Sequence, residues 1–211
     1  MNWAGKKWKD LLLGPMTIHG GVLLGSLGLP FFVTPVDLWL SRALLPFKGS
    51  PWESFFELTN YLGHGLFLGS LCTALILWGV WRKKPVPFWC GKYGLAAFLS
   101  GGLLVQILKH LFGRVRPWAL GAGNFFGPHL GGSFSSFPSG HSVSLFALAA
   151  ILGHALPSWR SGFFALAALG ALSRVIVGAH FLSDVVAGAT LGFWVGSCLI
   201  HLFPASTSES A

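Results

Sequence analysis

Apolar residues fall in long runs separated by short charged or polar stretches, and the run lengths divide the chain. A helix crossing a bilayer needs about 20 predominantly apolar residues. Leu11–Val33 supplies 23 uncharged residues, and Leu58–Trp81 lies uncharged between Glu57 and Arg82. Tyr93–Leu108 is shorter, 16 residues stopping at Lys109. Ser142–Trp159 runs up to Arg160, Ser161–Ser173 holds 13 uncharged residues before Arg174, and Val185–Phe203 begins directly after Asp184. The pattern predicts an all-α polytopic membrane protein, a six-transmembrane-helix bundle with spans at about 11–33, 58–81, 93–112, 142–159, 161–178 and 184–203, in one membrane-embedded domain over residues 1–211. Between the first two spans, Pro35–Glu57 mixes Trp39, Trp52, Phe55 and Phe56 with Asp37, Arg42, Lys48, Glu53 and Glu57. It reads as an interfacial helical segment broken at Pro46, Gly49 and Pro51, with a plain loop as the competing reading. Trp118–Phe137, rich in Gly, Ser and Phe, reads as a structured connection over one end of the bundle.

Composition removes the alternatives. Apolar residues are 53% and charged residues 9%, against roughly 25% charged in soluble domains, so the chain cannot clothe a globular surface. Disorder requires the opposite composition. The net charge of +8 would elsewhere suggest nucleic acid. Here the Lys and Arg enrichment of cytoplasmic loops accounts for it, so no nucleic-acid partner is expected and the bilayer is the surrounding partner. Cys72, Cys90 and Cys198 have neither metal nor disulfide spacing and read as small packing residues. Lys6, Lys7 and Lys9 ahead of an apolar run imitate a signal peptide, but the run is too long for one and reads as a retained span.

Charge also orients the bundle. Lys6, Lys7, Lys9, Arg82, Lys83, Lys84, Lys92 and Arg160 lie on the side of the termini; Arg42, Lys48, Lys109, Arg114, Arg116 and Arg174 lie on the other. With Lys109 and Arg174 set aside as interruptions of apolar helices, eight cations face four, which places the termini in the cytoplasm. Thirteen residues before Arg174 cover about 20 Å at 1.5 Å per residue, short of the roughly 30 Å hydrocarbon core. Arg174, and at similar depth Lys109 and Asp184, therefore lie below the outer interface. Intramembrane charges are costly and mark sites.

Four pieces of sequence gather at that end. Lys109 and Arg116, seven apart and followed by Pro117, close the third run; on a helix they would share a face about two turns apart. Pro138-Ser139-Gly140-His141 opens the fourth, where free N–H groups and the helix dipole favour an anion. Ser173-Arg174 closes the fifth, and His180 and Asp184 follow. Three cations, an anion-binding helix start, two histidines and one carboxylate suit a tetrahedral dianion. With a single Asp and no Cys, the set lacks the ligands of a Mg²⁺ or di-metal centre, and neither metal nor cofactor is expected. Metal-free phosphoryl transfer to an activated histidine uses every piece.

Each piece alone has a blander explanation. A lone cation can snorkel, His180 and Asp184 could be a helix-surface pair, and Pro138-Ser139 could simply cap a helix. Their joint order and spacing overturns those readings. Arg114 reads as a contact to headgroups, His110 and His129 are left between substrate-loop and packing roles, and His19, His64, His154 and His201 read as packing or interfacial residues.

The order K-x6-R-P, P-S-G-H, S-R-x5-H-x3-D resembles the type 2 phosphatidic acid phosphatase family, including bacterial membrane lipid phosphatases. It is matched at Lys109, Arg116, Pro117, Pro138 to His141, Ser173, Arg174, His180 and Asp184. The resemblance implies that His180 is the nucleophile, Asp184 holds its other ring nitrogen, and His141 protonates the leaving oxygen and then activates water. Lys109, Arg116, Ser139, Gly140 and Arg174 would bind the phosphate oxygens. The implied substrate is a membrane lipid phosphate (undecaprenyl diphosphate, phosphatidylglycerol phosphate, phosphatidic acid or lipid A phosphate). The implied setting is the periplasmic, outer face of a bacterial inner membrane. A lipid phosphotransferase using the same histidine, or a non-catalytic lipid or anion transporter, are the competing functions. Small-xxx-small patterns at Gly21/Gly25, Gly65/Gly69 and Gly188/Gly192/Gly196 permit close helix approach and serve internal packing; a homodimer stays open, with nothing in the sequence requiring it.

Overall fold

The computed structural model describes residues 8–44, 49–119 and 124–203, with side chains from residue 20 onward in the first segment. Lys6, Lys7, Pro46, Lys48 and the tail Ala205–Ala211 lie outside the described residues, as do the side chains of Lys9 and His19. Among the described residues seven α-helices follow in order: α1 (Trp8–Ala43), α2 (Pro51–Asn60), α3 (Gly65–Trp81), α4 (Pro85–Phe112), α5 (Gly140–Ala155), α6 (Arg160–Ile176) and α7 (Leu182–Leu202). Among the described residues there is no β-strand, only an isolated antiparallel bridge between Arg114 and Phe125.

The helices depart from the apolar runs at informative places. α1 does not stop near Val33 but continues through Pro35 and Asp37 to Ala43. Proline within a membrane helix removes one i−4 hydrogen bond without having to end the helix; beside Pro35, Thr34 Oγ1 donates to the Pro30 carbonyl. The first part of the expected interfacial segment is thus a continuation of α1; the separate helix is α2, begun by Pro51 at its first turn. The second apolar run is broken as well: Tyr61–Gly63 forms a 3₁₀ turn, and α2 with that turn meets α3 at a 47° bend. α4 starts at Pro85, ahead of the expected boundary, because its prolines sit in the first turn, where a missing N–H costs nothing.

By length and composition three helices among the described residues, Gly20–Ala43 within α1, α4 and α7, can cross a membrane, and the bent pair makes a fourth; α5 is apolar but shorter. α5 is the central post, packed against α4, α6 and α7, with Val143, Ala147 and Ile151 buried toward Ala97, Val105, Leu191 and Val195. Its other side, through Leu145, Leu148 and Ala149, meets Leu68, Cys72 and Ala167. The Gly188/Gly192/Gly196 stripe lies on α5, where a Cβ at Gly188 would stand 2.5 Å from the Ser139 carbonyl oxygen and one at Gly196 2.8 Å from that of Ala147. Internal packing therefore uses this stripe. Gly21, Gly25 and Gly69 face open space, so packing does not account for them. The antiparallel order brings the C-terminal ends of α1, α4 and α6 to the N-terminal ends of α5 and α7.

Candidate functional site

Lys109 occupies the last turn of α4. The helix then stops at Phe112, because Gly113 takes a left-handed conformation (φ 54°) and a Cβ there would run into the Gly127 carbonyl oxygen. Arg116 is consequently not on the helical face it would have shared with Lys109. It is delivered by the following loop, its N–H donating to the Ser133 carbonyl at 2.9 Å. Its guanidinium donates to Ser135 Oγ at 3.1 Å and, more weakly, to the Ala179 carbonyl at 3.4 Å. The turn brings Lys109 and Arg116 within electrostatic reach of one another, and of Arg174 and Asp184.

Arg174 stands in the last turn of α6 and donates through Nη1 to Asn60 Oδ1 at 2.6 Å, while its buried Nε has no partner among the described residues. The chain reverses after α6, with the Ala179 and His180 N–H groups both donating to the Arg174 carbonyl, at 2.9 and 3.1 Å. This fastens His180 beside Arg174 in the connection between α6 and α7. Burial pushes the His180 imidazole down to about 4, against the raising pull of Asp184; the ring is neutral at pH 7, the state a nucleophile needs.

His141 is the second residue of α5, and its ring packs on Gly63 in the α2–α3 break. A Cβ at Gly63 would stand 2.6 Å from His141 Cδ2. His141 lies within electrostatic reach of Arg174, His180 and Lys109, and its buried Nε2 is unpartnered among the described residues. His64, read from the sequence as a packing or interfacial residue, also comes within reach of it. Ser139 is fully buried and caps α5, its Oγ accepting from the Ser142 N–H at 3.5 Å, while its own N–H donates to the Asp184 carbonyl at 3.0 Å. Its capping role is thus directly visible, and its N–H is already committed. Gly140 begins the helix, where first-turn N–H groups have no intrahelical acceptor.

Asp184, in the first turn of α7, is fully buried. Its Oδ2 stands 3.6 Å from His180 Nδ1, beyond hydrogen-bond range, and that nitrogen has no partner among the described residues. The carboxylate is held instead by Ser136 Oγ at 2.6 Å, the Phe181 N–H at 2.9 Å and Arg114 Nη1 at 2.6 Å. Arg114 is no headgroup contact. It is wholly buried, sandwiched by the Phe125 and Phe181 rings, and bridges Asp184 to Asp37 of α1, 2.8 Å from its Nη2. Asp37 in turn accepts from the Ser183 N–H at 3.0 Å and from the Ser183 hydroxyl. Two buried carboxylates share one guanidinium, and the serine and backbone donors around them help offset the cost of burying these charges.

Sequence reading missed Asp37, Arg114, Ser136 and Asn60. An acidic residue just past an apolar run was the one available signal for Asp37; nothing local marks Ser136 or Asn60. His110 and His129 stay apart from the site's centre, His110 Nδ1 lying 2.6 Å from the Gln106 carbonyl and His129 packed on Phe134. Among the described residues no three His, Cys, Asp or Glu side chains cluster as a metal-ligand set.

A helical membrane protein with a basic, histidine-bearing pocket at one end of its bundle defines the class, and comparison with known proteins defines the family. The PAP2 superfamily model matches residues 89–208, and the chain belongs to that superfamily. It is 32% identical to phosphatidylglycerophosphatase B of Bacillus subtilis (strain 168) over 173 residues, 76% of this chain and 79% of that protein. It is 42% identical to a lipid A 1-phosphatase of Rhizobium johnstonii over 109 residues, which cover 50% of this chain and 45% of the relative; the chain thus spans about half the length of the Rhizobium lipid A 1-phosphatases it matches. The crystal structure of a transmembrane PAP2-type phosphatidylglycerolphosphate phosphatase from Bacillus subtilis superposes with a TM-score of 0.70 at 25% identity, covering 92% of this chain and 98% of that one.

Proposed function

We propose that the protein is a metal-independent lipid phosphate phosphatase working through a phosphohistidine. The observation that carries this reading is the convergence, from α4, α5, α6, α7 and two connections, of Lys109, Arg116 and Arg174 on His141, His180 and Asp184. The cations bind the equatorial oxygens of the phosphoryl group, with the Gly140 N–H and the Ser139 hydroxyl at the start of α5. His180 attacks phosphorus in line through Nε2, the P–N bond forming as the ester or anhydride P–O bond breaks. His141 takes up a proton as the phosphate dianion binds beside it and gives that proton to the departing oxygen. It then takes a proton from water as that oxygen attacks phosphorus, the P–N bond breaks and inorganic phosphate leaves. Asp184 stabilises the developing charge on the His180 ring; catalytic hydrogen bonds are often long before substrate binds, and closing 3.6 Å asks only a small ring movement. Arg114 and Ser136 are positioning residues that hold that carboxylate.

The same reading takes the chain as one domain of six spans in a bacterial inner membrane, termini cytoplasmic and site at the outer face. There the cations meet a headgroup while the acyl or prenyl chains stay in lipid. Undecaprenyl diphosphate, phosphatidylglycerol phosphate, phosphatidic acid and lipid A phosphate form the test panel. Phosphate release by the detergent-purified protein in excess EDTA is the measurement, beside His180→Ala. Release should survive EDTA and vanish in the variant. Binding without release from any lipid would overturn the phosphatase reading in favour of a transferase or transporter.

A further inference from the structure

A cavity of about 490 Å³ opens beside the phosphate-binding cations, between α2, the end of α6 and the loop after α4. Glu57, Asn60, Tyr61, Trp118, Arg174 and Ala179 shape it. Arg174 belongs both to this cavity and to the proposed phosphate site. Ala179, whose carbonyl accepts from Arg116, directly precedes His180. Whatever part of a substrate adjoins its reacting phosphate therefore has this space available.

The chemistry of the lining is selective. Among the residues lining it, only Glu57 and Arg174 carry charge, and Glu57 lies within electrostatic reach of Arg174. Arg174 is already committed, through Asn60 on one side and the reacting phosphate on the other. A second phosphate in the cavity would meet the Glu57 carboxylate with no cation of its own. A neutral, hydroxyl-bearing group would instead find an acceptor in Glu57, donors in the Asn60 amide and the Tyr61 hydroxyl, and an indole face at Trp118 for its C–H surface.

We propose that this cavity is a headgroup subsite in which Glu57 disfavours a second phosphate, making the protein selective for lipid phosphomonoesters over diphosphates. The inference rests on the phosphatase reading above and adds the substrate class to it. Two unit charges about 6 Å apart at an effective dielectric between those of a protein surface and water interact by enough to change a rate ratio about five- to tenfold.

The test measures kcat/KM for two lipids sharing one diacylglycerol anchor, phosphatidic acid and diacylglycerol diphosphate, at low ionic strength in wild type, Glu57→Gln and Glu57→Lys. Glu57 is exposed on α2, so neither change removes buried packing. Wild type should prefer the monophosphate. The monophosphate-to-diphosphate ratio should fall about five- to tenfold in Glu57→Gln and further in Glu57→Lys. Turnover of both lipids with a ratio that neither substitution moves would overturn the subsite while leaving the phosphatase standing. No turnover of these two lipids or of any lipid in the panel above would overturn the phosphatase reading itself.

Discussion

At the scale of single residues, Arg114 shows how much of the proposed site's geometry can rest on a side chain outside its phosphate-binding set. Its guanidinium lies between Asp37 and Asp184 with no solvent exposure, and it is the group that neutralises the carboxylate facing His180. Arg114→Met leaves two buried carboxylates without their cation, and breaking such a pair costs about 3–5 kcal/mol. Thermal unfolding in detergent should show that loss as a lowered midpoint. Adding Asp37→Asn should restore part of the midpoint, since one uncompensated charge is removed, but not kcat, because Asp184 would still lack its Arg114 hydrogen bond. Recovery of kcat along with the midpoint would mean that Arg114 serves stability alone.

Among the elements, the decisive ones are the breaks between helices. The 3₁₀ turn at Tyr61–Gly63 interrupts an apolar run and puts a glycine under the His141 ring, and Asn60, the last residue before it, takes hold of Arg174. A Cβ at Gly63 would stand 2.6 Å from His141 Cδ2, so Gly63→Ala must move the ring or the turn. Displacing a catalytic group by about 1 Å can cost up to 10²-fold. Gly63→Ala should therefore lower kcat by about ten- to a hundredfold with KM nearly unchanged. An unchanged kcat would show that His141 does not need this seat. Gly113 makes the other decisive break. By ending α4 it converts Arg116 from a helix-face residue into a loop residue, and the loop can then be tied to Ser133, Ser135 and Ala179. Helix periodicity could not have placed Arg116, because the residue lies beyond the helix; the glycine preceding Arg114 was the local sign that the periodicity ends.

For the molecule as a whole, the site sits at one end of an antiparallel bundle, and the Arg82–Lys84 turn lies between the opposite ends of α3 and α4. With the site at the outer face, Leu130, exposed at 89% in the loop beside the site, should as Leu130→Cys react with a membrane-impermeant maleimide in intact cells. Lys83→Cys should react only after permeabilisation. Of the native cysteines, Cys72 and Cys90 are buried and Cys198 is half-buried, so both variants are made in a Cys198→Ser background. The reverse labelling pattern would place the phosphate site on the cytoplasmic side.

The amino-acid sequence by itself determined the solvent of this protein, since 9% charge cannot cover a water-facing surface. It also determined the chemical set: cations, histidines and a carboxylate stranded at the ends of apolar runs, where only a ligand or a partner makes their burial tolerable. These are properties of composition and order, and they survive any arrangement of the helices. The tertiary structure decided which groups share a charge. Asp37 and Arg114 are 77 residues apart, and Asn60 and Arg174 are 114 apart. Their partnerships depend on how α1 and α2 pack beside α6 and α7, which no local pattern encodes. It also decided where helices end, because an apolar run measures compatibility with lipid, whereas the breaks at Gly63 and Gly113 arise from backbone geometry and from the neighbours a side chain there would strike.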